Sequence, residues 1–125
     1  MLHQTYQKLR DLSRRTAAGL STPGFYRLHA EELKRSEGVL MGDGMVRKCR
    51  AHLDQALLEC AHGLSHCEAV ARDAGAIVLI EGSACGLSGD ETVSLAEAAV
   101  IAGLLHDIKR REEDHAVRGS IEADR

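Results

Sequence analysis

The fifteen residues SLAEAAVIAGLLHDI, Ser94 to Ile108, constrain the fold more than any other part of the chain. Val100, Ile101, Leu104, Leu105 and Ile108 recur at helical spacing and leave no polar face. A helix of that kind must be covered on nearly all sides, so other helices have to surround it. Ser94 and Glu97 have the spacing of a capping box and predict its start. Its end carries an adjacent imidazole and carboxylate, His106 and Asp107, where the apolar run stops. Polar groups held against a core need partners.

The rest of the chain supplies the covering helices. Its 125 residues predict one domain. Hydrophobic residues make up 44% of it and aromatics only 2%, so the core must come from Leu, Ile, Val and Ala. With a single Pro, the class is all-α. Residues 4–20 suit a first helix, with Tyr6, Leu9, Leu12 and Leu20 near one face. In STPGF, Thr22 can cap and Pro23 can take the first helical position of a second helix, which continues through YRLHAEELKRSEGVL. MGDG, residues 41–44, breaks the pattern. A third helix is predicted from Met45 to Ala61, with Val46, Cys49, Leu53, Ala56, Leu57 and Cys60 on one face. After Gly63, the residues His66, Ala69, Val70, Ala74 and Ile77 form the expected inward stripe of a fourth. EGSACGLSGDET, residues 81–92, reads as a connection; it lacks the GK[ST] ending and the preceding strand of a phosphate cradle. A last short helix is expected from Asp114, its cap. The division expected is a helical extension over 1–58 and a core over 59–125.

The formal charge of −3 gives no global case for nucleic acid, and the chain lacks aromatic platforms for bases. The charge is unevenly placed. Residues 1–50 carry ten Lys/Arg against five Asp/Glu, whereas residues 51–125 carry six against fourteen. No apolar run reaches membrane-spanning length, and the N-terminal MLHQTYQKLRDLSRR has no signal-peptide core. The expected location is cytoplasmic, with no membrane partner. Cys49, Cys60, Cys67 and Cys85 are then expected to be reduced and to act as small buried apolar residues. Cys49, His52, Cys60 and His62 have zinc-like spacings. Within one continuous helix, however, the two pairs would lie roughly 15 Å apart, too far for one ion.

His66, His106, Asp107 and His115 all fall near predicted helix ends around an aliphatic core. Neutral imidazole and carboxylate are good ligands for Fe, Mn, Co, Ni or Zn, so these four make a candidate metal cage. His62 lies four residues before His66, but Gly63 interrupts any shared helix.

The blocks HCEAVARDAG (66–75), AAVIAGLLHDIKR (98–110 with the following Arg111) and DHAVRGSIEAD (114–124) resemble, in order and spacing, the HD-domain superfamily of metal-dependent phosphohydrolases. The resemblance covers residues 60–125. It implies an HD-like helical bundle and a cofactor of one or two divalent transition-metal ions. His66, His106 and Asp107 would be ligands, Asp107 bridging where two ions bind, and His115 would serve the second ion. Asp107 and Lys109 would be the catalytic residues. Lys109 and Arg110 would meet the phosphate of the substrate, a nucleotide or other phosphorylated small molecule. Members of the family finish the site with a later Asp from a further helix. Here the acidic residues past His115 are Glu122 and Asp124, on a helix expected to lead away from the site. The bundle is therefore expected to be incomplete at its C-terminus: a piece of a longer protein, a short form without catalysis, or a core completed by a second copy. Surface left apolar by absent helices favours a homo-oligomer. The alternative to an enzyme is a catalytically incomplete HD-like module that binds a metal or ligand in a regulatory or interaction role.

Overall fold

The computed structural model describes residues 2–57, 63–109 and 113–125. Among them there is no strand, and seven helices follow one another: α1 (Leu2–Ala18), α2 (Gly24–Leu28), α3 (Ala30–Gly42), α4 (Gly44–Leu57), α5 (Gly63–Ala84), α6 (Gly89–Leu105) and α7 (His115–Ala123). The all-α expectation holds.

The helix boundaries follow from local chemistry. His29, with φ −116° and ψ 33°, interrupts what the sequence suggested was one helix and separates α2 from α3. Pro23 is the N-cap of α2 rather than its first helical residue, and Thr22 stays outside the helix. The predicted four-residue breaker narrows to Asp43. Its amide donates to the Val39 carbonyl and closes α3, while its carboxylate accepts from the amides of Met45 and Val46, both at 2.9 Å, and opens α4. One short acidic side chain thus satisfies donors that an α-helix leaves orphaned.

The capping box of α6 is Ser88–Glu91, not Ser94–Glu97, so the helix begins six residues earlier than expected. The Glu91 amide donates to Ser88 Oγ at 3.2 Å, and Ser88 N and Oγ donate to Glu91 Oε2 at 3.0 and 2.7 Å. Because α5 also runs on to Ala84, the expected twelve-residue connection shrinks to Cys85–Ser88. The Ser88 hydroxyl, then its amide, hold the Glu91 carboxyl below the usual carboxylate range. A depressed folded-state value means that this stabilisation is present above the ordinary carboxylate pKa and is lost as pH falls through the lowered one. Ser88→Ala is expected to cost about 1 kcal/mol. Urea denaturation should show that loss at neutral pH, and the gap between wild type and variant should narrow in acid.

The centre of the fold is the antiparallel hairpin of α5 and α6. Its seam is made of small residues. A Cβ at Gly103 would lie 2.6 Å from Ala71 Cα, and one at Gly82 would lie 2.6 Å from Thr92 Cγ2. Ala71–Gly103 and Gly82–Thr92 mark the two ends of a close helix–helix contact. The buried face of α5 is Cys67, Ala71, Gly75, Ala76, Leu79 and Gly82. This corrects the predicted stripe by one position: His66 is half-buried and Ile77 is 51% exposed. The stripe was drawn through the bulkier residues, whereas the two backbones approach closest where the side chains are smallest.

α3 and α4 close the other side of the seam. Leu40, Val46 and Leu53 join Cys67, Ala71, Val100 and Leu104 in one buried cluster. Each of those large aliphatics stabilises the fold by roughly 1.5–3 kcal/mol through burial. The core therefore draws on residues from both sides of position 58. Ser36, fully buried on α3, donates to the Arg72 carbonyl of α5 at 2.7 Å. α2 is tied on by Tyr26, whose hydroxyl donates to Asp73 Oδ2 at 2.7 Å; this bond is the main reason its phenol is raised above the ordinary value.

Two further expectations are corrected. α6 is not covered all round: Leu95 is 51% exposed, and Ala98 and Ala102 share its open face. α3, α4 and α5 cover one flank, and α7 meets only the C-terminal end. Nor are the cysteines uniformly buried: Cys67 is, Cys49 is half-buried, Cys85 is exposed, and Cys60 lies outside the described residues. No described helix is long and apolar enough to cross a membrane.

Candidate metal centre

The antiparallel hairpin decides where the site forms. His66 stands in the first turn of α5, and His106 is the C-cap of α6, with Asp107 in the turn that follows. Antiparallel packing sets the start of one helix beside the end of the other. Residues forty positions apart therefore meet.

His106 Nε2 lies 3.3 Å from Asp107 Oδ2, and His66 Nε2 lies 3.9 Å from the same oxygen. The two imidazole rings are 5.3 Å apart, centre to centre, at 61°. One ligand atom from each of the three residues falls within 4.8 Å of the others. Nitrogen and oxygen ligands at about 2.0–2.2 Å from one ion are at most about 4.2 Å apart. The Asp107 distances lie inside that limit, so the donor set and its spacing fit a single transition-metal ion after a small side-chain adjustment.

Burial grades the site. The Asp107 side chain is 10% exposed, and the imidazoles of His66 and His106 are 39% and 35% exposed. The carboxylate sits at the base and the two rings at the rim. Such a centre is reachable from solvent on its imidazole side.

The His106 ring is oriented from behind. His106 Nδ1 is 2.7 Å from the Gly103 carbonyl. A carbonyl can only accept, so Nδ1 is the donor in this bond, and Nε2 is the ring nitrogen turned toward Asp107. This is the arrangement that a metal-ligating histidine requires. Gly103 therefore acts twice: its missing Cβ admits the α5 backbone, and its carbonyl orients the ring of a candidate ligand. Sequence reasoning passed over it. The signal was a lone glycine inside the apolar run VIAGLL, where a close approach is the usual reason for one.

The other expected residues are placed as follows. Lys109 is half-buried in the turn two residues past Asp107. Arg110 lies outside the described residues, as does His62. His115 is the first residue of α7, and its side chain is outside the described part of the structure. Asp114 precedes α7 in the left-handed region at φ 57°, without a capping bond from its side chain. Its backbone carbonyl accepts from Val117 and Arg118 instead, so the expected cap is a backbone one. Of the weaker zinc set, His52 is exposed and Cys49 half-buried, while Cys60 and His62 are outside the described residues. Glu68, two residues after His66, is drawn into an ion pair with Arg50 of α4.

A groove of about 430 Å3 opens beside His106 between α6 and α7, walled by Ala102, Gly119 and Ala123 and reached by Ser120 and Asp124. Asp124 thus returns to the neighbourhood of the site rather than leaving it, although it does not join the three-residue cluster.

No protein-family model, curated protein or solved structure matches the chain.

Proposed function

We propose that the chain is a metal-dependent phosphohydrolase of the HD-domain kind, acting on a nucleotide or another phosphate ester. The observation that supports this reading is the convergence of His66, His106 and Asp107 at one end of the α5–α6 hairpin. These are the residues to which the resemblance assigns the ligands. Imidazole and carboxylate together suit Fe, Mn, Co, Ni or Zn.

A divalent ion held there would supply positive charge against a phosphoryl group and make a water molecule more acidic. The chain's own residues do the positioning. Gly103 orients the His106 ring, and the low exposure of Asp107 keeps its carboxylate from being fully solvated. On this reading Lys109 and Arg110, next along the chain, steady the phosphate oxygens as a point charge and a fork. His115 ligates where a second ion binds.

The test is elemental analysis of the purified protein, followed by loading with Mn or Fe and assay on a panel of nucleotides and simple phosphate esters. Bound metal with hydrolysis that disappears in Asp107→Ala is the expected result. Protein that takes up no metal and stays inactive after loading overturns the proposal. Stoichiometric metal without hydrolysis of any ester would transfer support to the catalytically incomplete binding module.

A further inference from the structure

α1 packs against no other described helix. Tyr6, Leu9 and Leu12 on it are 54%, 59% and 61% exposed. A helix of 17 residues with no tertiary partner is marginal in water, because helical stability in proteins comes mostly from packing an apolar face. The polar side of α1 is basic: Lys8, Arg10, Arg14 and Arg15 stand against Asp11 alone.

The complementary surface lies elsewhere in the same molecule. Residues 74–105 contain Glu81, Asp90, Glu91 and Glu97 and not one Lys, Arg or His. On α6, Glu91, Leu95, Ala98 and Ala102 fall at i, i+4, i+7 and i+11, which is a single helical stripe. Leu95 is 51% exposed, both alanines are exposed, and Ala102 leads into the groove beside His106. This makes an acidic, apolar track over twelve residues of the 17-residue α6, from Glu91 to Ala102, and α1 is also 17 residues long. Both helices extend about 26 Å at 1.5 Å per residue.

We propose that this track receives α1 of a second copy, the two chains exchanging arms across a twofold axis. Each copy then gives one basic amphipathic helix and takes one, so the contact closes at two. Leu9 and Leu12 lie on the small residues of the partner's α6, as in helix-in-groove recognition. The arginines of α1 meet the partner's acidic hairpin. The docked arm reaches the groove at His106, so assembly covers the outer side of the metal centre. The inference rests on the unpartnered helix and the charge match and is independent of the phosphohydrolase reading.

Light scattering coupled to size exclusion tests it on the full chain. The expected mass is twice the 13.5 kDa of one chain. The double variant Leu9→Asp with Leu12→Asp, and separately Ala98→Arg, are each expected to give the mass of one chain, with a loss of helical circular dichroism no larger than the share of the 17-residue α1. All these positions are exposed, so the variants fold. Raising the salt concentration is expected to weaken the wild-type dimer, because exposed charges are screened. A monomeric wild type overturns the proposal, including one that instead binds anionic vesicles. So does a dimer that survives either variant: survival of Ala98→Arg alone would mean that α1 pairs with α1 rather than with α6.

Discussion

Gly103→Val is expected to lower stability by about 3 kcal/mol, the upper part of the usual overpacking range, and to scatter the candidate metal ligands at the same time. A Cβ at this position would stand 2.6 Å from Ala71 Cα and 2.9 Å from Ala71 N. Both obstacles are backbone of a helix held on its other side by α3, so neither can rotate away. Even Gly103→Ala is expected to destabilise. Alanine gains about 1 kcal/mol of helix propensity over glycine, and that gain is smaller than the cost of forcing two helices apart. Gly38, inside α3, is the control: a Cβ there meets nothing within 4 Å. Gly38→Ala should therefore stabilise the protein by about 0.5–1 kcal/mol. Urea denaturation of the three variants checks the signs. If Gly103→Ala proved as stabilising as Gly38→Ala, the close α5–α6 seam would be wrong. The site should register the same change. Separation of α5 from α6 moves His66 away from Asp107 and withdraws the Gly103 carbonyl from His106. Metal affinity in Gly103→Ala is accordingly expected to fall together with the denaturation midpoint.

Asp107→Ala is expected to abolish specific metal binding while leaving the helices intact. Both ring nitrogens of the cluster lie nearest a shared oxygen of this residue, at 3.3 and 3.9 Å. Loss of a mere supporting partner typically costs roughly 10–100-fold in metal affinity, and removal of the common carboxylate should exceed that. Thermal denaturation offers a direct measurement. A ligand present at 100 times its dissociation constant stabilises the native state by about 2.7 kcal/mol. Wild type should therefore melt at higher temperature with added Mn, Fe or Zn. Asp107→Ala should melt at the same temperature with or without them. A metal-induced rise that persists in the variant would remove Asp107 from the ligand set. Asp107→Asn separates charge from shape: it keeps the volume and an acceptor oxygen but should bind metal far more weakly than wild type.

The helices themselves were legible from the residues. Six of the seven correspond to periodic apolar segments or to their cap and breaker signals, and α2 differs only by being split from α3 at His29. The start of α6 was misplaced because Ser88–Glu91 and Ser94–Glu97 have the same spacing. Sequence does not say which pair sits where the chain turns. The candidate ligands His66, His106 and Asp107 were also legible, as polar residues stranded at the ends of apolar helices. Gly103 was not, because its role is a contact with Ala71, thirty-two positions away.

The sequence by itself determined an all-helical chain, an aliphatic core and an imidazole–carboxylate pair at the end of its most apolar helix. Those are consequences of residue type and of spacing within a few turns. Only the tertiary structure decided which face of α5 turns inward, which flank of α6 stays open, and that α1 packs against no other described helix. Side-chain bulk suggests the larger residues as the buried face. Packing instead chose Cys67, Ala71 and Gly75, because two helix backbones come closest where the least stands between them. That same close approach brings His66 within 3.9 Å of Asp107.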